Sequence, residues 1–195
     1  MDKISYALGL GIGQQIKSMN IENFSIEDFT KSISDVIEGK ETAFSSREAQ
    51  MMLQEYFTRK QKEEAQAHIA EGKAYLDANA KRQGVVVTKS GLQYEVLQEG
   101  KGSKPNKRKR VKMNFELRLT NGKVVESHWG KDVMELPVAN VIPGLQNALT
   151  LMPEGSTWEI YIPWQLGYGA EGSKNIPPYS ALIFKVKLLE VVKLK

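Results

Sequence analysis

From Arg110 to Thr120 the chain alternates: Val111, Met113, Phe115, Leu117 and Leu119 fall on one side, Lys112, Asn114, Glu116 and Arg118 on the other. A period of two puts one face in a core and the other in water, which predicts a half-buried strand. Asn121-Gly122 follows, a pair favoured in type I′ hairpin turns because both central residues take positive φ, so a return strand is expected from Lys123 to Ser127. The alternation recurs at Trp158, Ile160 and Ile162, with Thr157, Glu159 and Tyr161 between them, and stops at Pro163. Leu182, Phe184, Val186 and Leu188 repeat it near the C-terminus. Another strand is expected from Leu92 to Gln98, after the turn signal Ser90-Gly91. Together these make a small β domain.

Upstream the period changes to that of helices. Ser25 followed by Asp28 is a capping-box-like start, Phe29, Ile33, Val36 and Ile37 share one helical face, and Gly39 suits the position just past the end. An earlier helix is expected from about Lys3 to Met19, weakened in isolation by Gly9, Gly11 and Gly13. Ser45 and Glu48 cap a proline-free segment that runs to Gly84. Such a helix would be roughly 55 Å long, against the ~30 Å diameter of a compact domain of ~100 residues. It is therefore expected to be a stalk, apolar at its start (Met51, Met52, Leu53, Tyr56, Phe57) and solvated from Lys60 to Gln66. The division that follows is a helical module with stalk over residues 1–85 and a β domain over 86–195. Two short helices bury little core alone, so pairing with a second copy is the favoured solution. Folding back on the same chain is the alternative.

Composition narrows the function classes. With 41% hydrophobic and 26% charged residues in 195, the chain is neither disordered nor membrane-embedded in character. No stretch approaches the ~20 apolar residues of a membrane span. The absence of cysteine removes disulfides and thiolate chemistry. The apolar run Ile4 to Gly13 is short, glycine-interrupted and without a small-residue cleavage site, so it does not read as a signal peptide. A cytoplasmic location is expected, or a periplasmic one if Met1 is an added start in place of a signal peptide. His68 and His128 are the only histidines and lack a metal-ligand spacing, so no metal or cofactor is expected. Gly9-Leu10-Gly11-Ile12-Gly13 does not follow a strand and makes a poor phosphate loop. Lys104 to Lys112 carries six basic residues in nine. With no aromatics interleaved, it reads as a solvated loop before a nucleic-acid patch.

Several spaced motifs then occur in order. Val141-Ile142-Pro143-Gly144, the stretch Ala148 to Gly169 (ALTLMPEGSTWEIYIPWQLGYG), Ile176-Pro177-Pro178 and Ala181-Leu182-Ile183-Phe184 resemble the FKBP-type peptidyl-prolyl cis-trans isomerases over about Val87 to Lys195. The N-terminal half, with Ser5-Tyr6-Ala7-Leu8-Gly9 before two helices, is similar to the dimerisation region of the bacterial Mip-like branch. The resemblance implies an α+β protein: an N-terminal helical dimerisation module with a long stalk helix, then a half-open antiparallel β barrel with a short helix, Gly144 to Leu151. It implies isomerisation of proline-containing, unfolded or flexible polypeptides by a homodimer without cofactor, with macrolides as further ligands.

It also implies a site. Tyr168 matches the tyrosine whose hydroxyl donates to the substrate carbonyl, Ile142 supplies a backbone N–H as second donor, and Glu126 stands where the family has aspartate. Val141 lines the pocket beside Ile142; Ile176 and Phe184 match a wall residue and a pocket aromatic. Phe115 replaces a tyrosine, and Met134 and Leu136 occupy positions that are commonly aromatic. Leu145 stands for the tryptophan of the pocket floor, and Leu117 for a glycine. Reduced activity is expected from these departures, and a non-catalytic polypeptide-binding chaperone is the competing function. Taken without the family, Phe115, Val141, Leu145 and Phe184 read simply as barrel core.

The chemistry asked of such a site is modest. Rotation about X-Pro meets a barrier of ~18–20 kcal/mol because the planar amide is resonance-stabilised. The twisted amide has less charge separation than the planar one, so an apolar cup favours it, and donors aimed at its carbonyl add differential stabilisation.

Overall fold

The structure, a computed structural model, describes residues 1–192. Contacts divide the chain into two compact units, one of Met1–Tyr56 and one beginning at Phe57.

The first unit holds α1 (Lys3–Met19), α2 (Ile26–Ile37) and the start of α3 (Ser46–Asn79). Each start carries a side-chain cap. Asp2 accepts from the Ser5 N–H at 2.7 Å, and Ser25 from the Asp28 N–H at 3.2 Å. At α3 the box is reciprocal: the Glu48 N–H donates to Ser45 Oγ and the Ser45 N–H to Glu48 Oε2. Gly39, at φ 67°, takes the left-handed position past α2 as expected. Gly9, Gly11 and Gly13 sit inside α1 with open space where a Cβ would be. No residue of α1 or α2 is buried. Tyr56 of α3 holds the α1–α2 connection, its hydroxyl accepting from the Glu22 N–H at 3.0 Å.

The second unit contains β1 (Val85–Val87), β2 (Gln93–Gln98), β3 (Arg110–Leu119), β4 (Val124–Ser127), β5 (Met134–Pro137), α4 (Pro143–Leu151), β6 (Thr157–Ile162) and β7 (Leu182–Val192). The sheet runs β1-β2-β6-β7-β3-β4, antiparallel throughout, with β5 also on β3. β3 pairs with β7 from Arg110↔Val192 to Leu119↔Leu182, while its other edge takes β5 at one end and β4 at the other. The inward residues of β3 are buried at every second position, as the alternation predicts. Leu145, Ala148 and Leu149 of α4 join that core, completing the half-open barrel. Gly144 makes the approach of α4 feasible, since a Cβ there would lie 2.4 Å from Ile162 Cγ2.

Two local expectations change. The β3–β4 connection is not a type I′ turn: the Gly122 N–H donates to the Leu119 carbonyl and the Leu119 N–H donates to the Lys123 carbonyl, with Gly122 at φ 83° and Asn121 outside the left-handed region. Three residues thus form the loop, and only the glycine needs positive φ. β6 is buried on both faces except at Glu159. The face expected in water is covered by the end of α3. Tyr75 lies 6.2 Å from the Tyr161 ring, and Arg82 donates to the Tyr161 hydroxyl at 2.8 Å. Asn79 and Gln93, both buried, bond each other at 2.9 Å, and Gln93 also donates to the Leu76 carbonyl. Leaving either unpaired would cost about 1–3 kcal/mol. The contact boundary falls at 56/57, inside α3, because the later part of that helix packs on the sheet.

Candidate functional site

A cup of about 330 Å³ opens between β3, β5, α4 and the chain after β6. Met113, Phe115 and Leu117 line it from β3, because the inward side of an alternating strand points there. Glu126 comes from β4, Met134 and Leu136 from β5, Val141 and Ile142 from the entry to α4, Leu145 from its first turn, and Phe184 from β7. Tyr168 closes it from the loop after Pro163. Nine of the ten residues inferred for the site therefore meet around one cavity. Ile176 does not: it is 3% exposed within the core and pairs with Ser173 in an isolated bridge. Its side chain is part of the hydrophobic core.

Met113 and Asn140 also line the cup and were not expected there. The alternation that placed Met113 inward was visible; which end of β3 faces a cavity was not. Asn140 ends a short helical turn, Val138–Asn140, that strand and helix periodicities do not announce.

The lining is apolar in its depth and polar at its rim. Phe115, Leu145 and Phe184 are each under a tenth exposed, and Phe115 and Phe184 lie 6.0 Å apart in a tilted pair. These side chains belong to the core and to the cup at once. Leu145 forms part of the wall with no ring to offer. At the rim, Tyr168 is 37% exposed. Burial pushes its hydroxyl pKa up, and the Glu126 carboxylate pushes the same way, so it remains a protonated donor. Glu126 Oε1 is 2.9 Å from His128 Nε2, and the His128 ring packs 5.1 Å from Phe115.

Ile142 is the N-cap residue of α4 and Pro143 follows it. The N–H of an N-cap residue has no partner inside its own helix, and the helix end carries partial positive charge. Tyr168 and Ile142 both line the cup. Among the described residues no cluster of three His, Asp or Glu side chains could hold a metal, and no helix is long and apolar enough to cross a membrane.

Two family models match the chain: the domain amino terminal to FKBP-type peptidyl-prolyl isomerase over residues 1–96, and FKBP-type peptidyl-prolyl cis-trans isomerase over 101–189. The FKBP-type 22 kDa peptidyl-prolyl cis-trans isomerase of Escherichia coli K12 is 40% identical over 193 residues, covering 96% of this chain and 94% of that protein. The peptidyl-prolyl cis-trans isomerase Mip of Coxiella burnetii is 38% identical, covering 98% and 87%. The outer membrane protein MIP of Legionella longbeachae is 34% identical, covering 98% and 86%. The crystal structure of FkpA from Escherichia coli superposes with a TM-score of 0.78 at 29% identity, covering 97% of this chain and 95% of that one.

Proposed function

The chain belongs to the FKBP-type peptidyl-prolyl cis-trans isomerases, and on that premise we propose that the cup beneath Tyr168 is where it rotates X-Pro bonds. The observation that carries this is an apolar, largely buried floor with Tyr168 and Ile142 both on its lining; the Tyr168 hydroxyl and the Ile142 N–H are assigned as its two donors. A proline ring entering the cup leaves water, and its amide loses solvation that the planar form needs more than the twisted one. The donors then meet the carbonyl as it turns. Phe115, Met134, Leu136, Val141, Leu145 and Phe184 provide the apolar wall. Glu126 orders the rim through His128 and keeps negative charge beside Tyr168. Ile176 is assigned to packing.

The floor is thinner in aromatics than the family pattern because Leu145 supplies no ring, so turnover is set below that of a member with the full aromatic pocket. The same cup would take macrolide ligands, more weakly for the same reason. A polypeptide-binding chaperone without turnover is the second function compatible with this surface. NMR exchange or protease-coupled kinetics on a panel of X-Pro peptides tests the choice: acceleration supports isomerisation, and rates equal to buffer on every peptide leave only binding.

The N-terminal unit is proposed to pair with a second copy. It buries none of the residues of α1 or α2, while Ile4, Leu8, Leu10, Val36 and Ile37 are each more than half exposed. Burying apolar surface is worth about 25 cal/mol per Å², so a partner is favoured. The expected cytoplasmic location has no support in the comparisons: one relative is named an outer membrane protein, and the periplasmic alternative is compatible with that name.

A further inference from the structure

The loop that carries Tyr168 is held at both of its sides by one residue. Gly169 stands at φ 67°, its N–H donating to the Trp164 carbonyl at 3.1 Å and its carbonyl accepting from the Tyr179 N–H at 2.9 Å. That Tyr179 N–H belongs to the same peptide plane as the Pro178 carbonyl. The Pro178 carbonyl oxygen lies 3.0 Å from His68 Nδ1, on α3. A carbonyl can only accept, so Nδ1 carries the hydrogen, and it does so in the neutral Nδ1–H tautomer and in the imidazolium alike.

We propose that His68 is a positioning residue for the isomerase reaction, fixing the Pro178–Tyr179 peptide plane and through Gly169 the backbone of Tyr168. This rests on Tyr168 being the hydroxyl donor proposed above. Three features give one side chain that leverage. Tyr179 is held at φ 59°, which a non-glycine residue adopts only when its surroundings impose it. Its ring is edge-on to Trp164 at 4.9 Å, so the two bases of the loop are joined. Beside His68 the helix and loop are separated by a cleft of about 460 Å³ toward Thr58 and Ala170, and by a smaller one of about 60 Å³ toward Thr120. The hydrogen bond therefore lies between two clefts, one turn of α3 before the close contact of Gly72 with Ala181. The N–H groups of Gly167 and Gly169 both donate to the Trp164 carbonyl and hold one side of the Tyr168 turn; rotation of the Pro178–Tyr179 plane would aim the Tyr179 N–H away from Gly169 and release the other.

The test is a double-mutant cycle on the full-length chain, read with one X-Pro peptide. His68→Ala is expected to lower kcat by about two- to tenfold, the range of one neutral hydrogen bond, with KM unchanged. His68→Asn, whose amide nitrogen can donate from a similar place, is expected to restore most of the rate. In a Tyr168→Phe background His68→Ala should add no further loss, and the amide resonances of Gly169 and Tyr179 should shift in the single variant. Glu71→Ala, which removes the neighbouring α3 bond from Thr120 Oγ1 at 2.6 Å, should leave the rate unchanged. A full rate in His68→Ala, an additive loss in the Tyr168→Phe background, or an equal loss in Glu71→Ala overturns the proposal while leaving Tyr168 in its role. A full rate in Tyr168→Phe alone overturns both.

Discussion

Gly72 of α3 faces Ala181 so closely that a Cβ on Gly72 would lie 3.0 Å from the Ala181 Cβ. The glycine lets the helix sit against the chain entering β7, next to the Tyr75–Tyr161 and Asn79–Gln93 contacts. Gly72→Ala should be near neutral, because the better helix propensity of alanine, worth about 1 kcal/mol, offsets the few tenths of an ångström by which Ala181 must give. Gly72→Leu should destabilise by about 1–3 kcal/mol through overpacking. Urea denaturation of the three proteins checks both; a Gly72→Leu variant as stable as the parent would mean that α3 does not pack there in solution.

Removing the Tyr168 hydroxyl isolates its share of catalysis. Tyr168→Phe should lower kcat/KM by up to about tenfold, the equivalent of ~1.5 kcal/mol, with the loss falling on kcat. An unchanged rate on short X-Pro peptides would assign the ring to packing.

Alkaline pH acts through three tyrosines. Tyr75, Tyr161 and Tyr168 all have hydroxyl pKa values raised above 10.0, with burial the first cause in each case. A raised folded-state pKa contributes stability that is fully present below the unfolded value near 10 and is lost as pH climbs through the folded value. Stability from these groups should hold to about pH 10 and then fall, and the Tyr168 donor should persist over the same range. Tyrosinate absorbance measured beside the unfolding midpoint would show it, and ionisation of all seven tyrosines before unfolding would contradict it.

Restoring a ring to the floor should tighten ligand binding. Leu145→Trp is expected to lower the Kd for a proline-containing ligand by a few-fold, since more apolar surface leaves water on binding. Isothermal titration measures it, and weaker binding would mean that Met113, Phe115 and Phe184 have closed around leucine.

Where the chain is cut should matter more than how much is removed. Full-length protein should scatter light at twice the 21.9 kDa chain mass, and residues 57–195 should be monomeric with an undiminished short-peptide rate. Residues 86–195, which lack Tyr75, Asn79 and Arg82, should be measurably less stable, because Gln93 and Tyr161 lose their partners. Equal stability of the two fragments would mean that α3 contributes nothing to the barrel.

Much of this protein follows from local pattern. The alternation of β3, the capping residues Ser25, Ser45 and Glu48, and the glycine past α2 are local rules with local causes, and each appears where it is read. The family motifs brought Tyr168, Ile142, Leu145 and six further residues to one cup. What periodicity could not decide is what covers a strand's second face. Tyr161 alternates as an outward residue, yet it is fully buried because a helix from far earlier in the chain lies over it. Ile176 is buried in the core and not on the lining of the cup, and β5 and the turn holding Asn140 carry too few residues to show a period. The junction of His68 with Pro178 spans a separation of 110 residues. No spacing rule reaches that far, because the contact depends on where α3 comes to rest on the sheet.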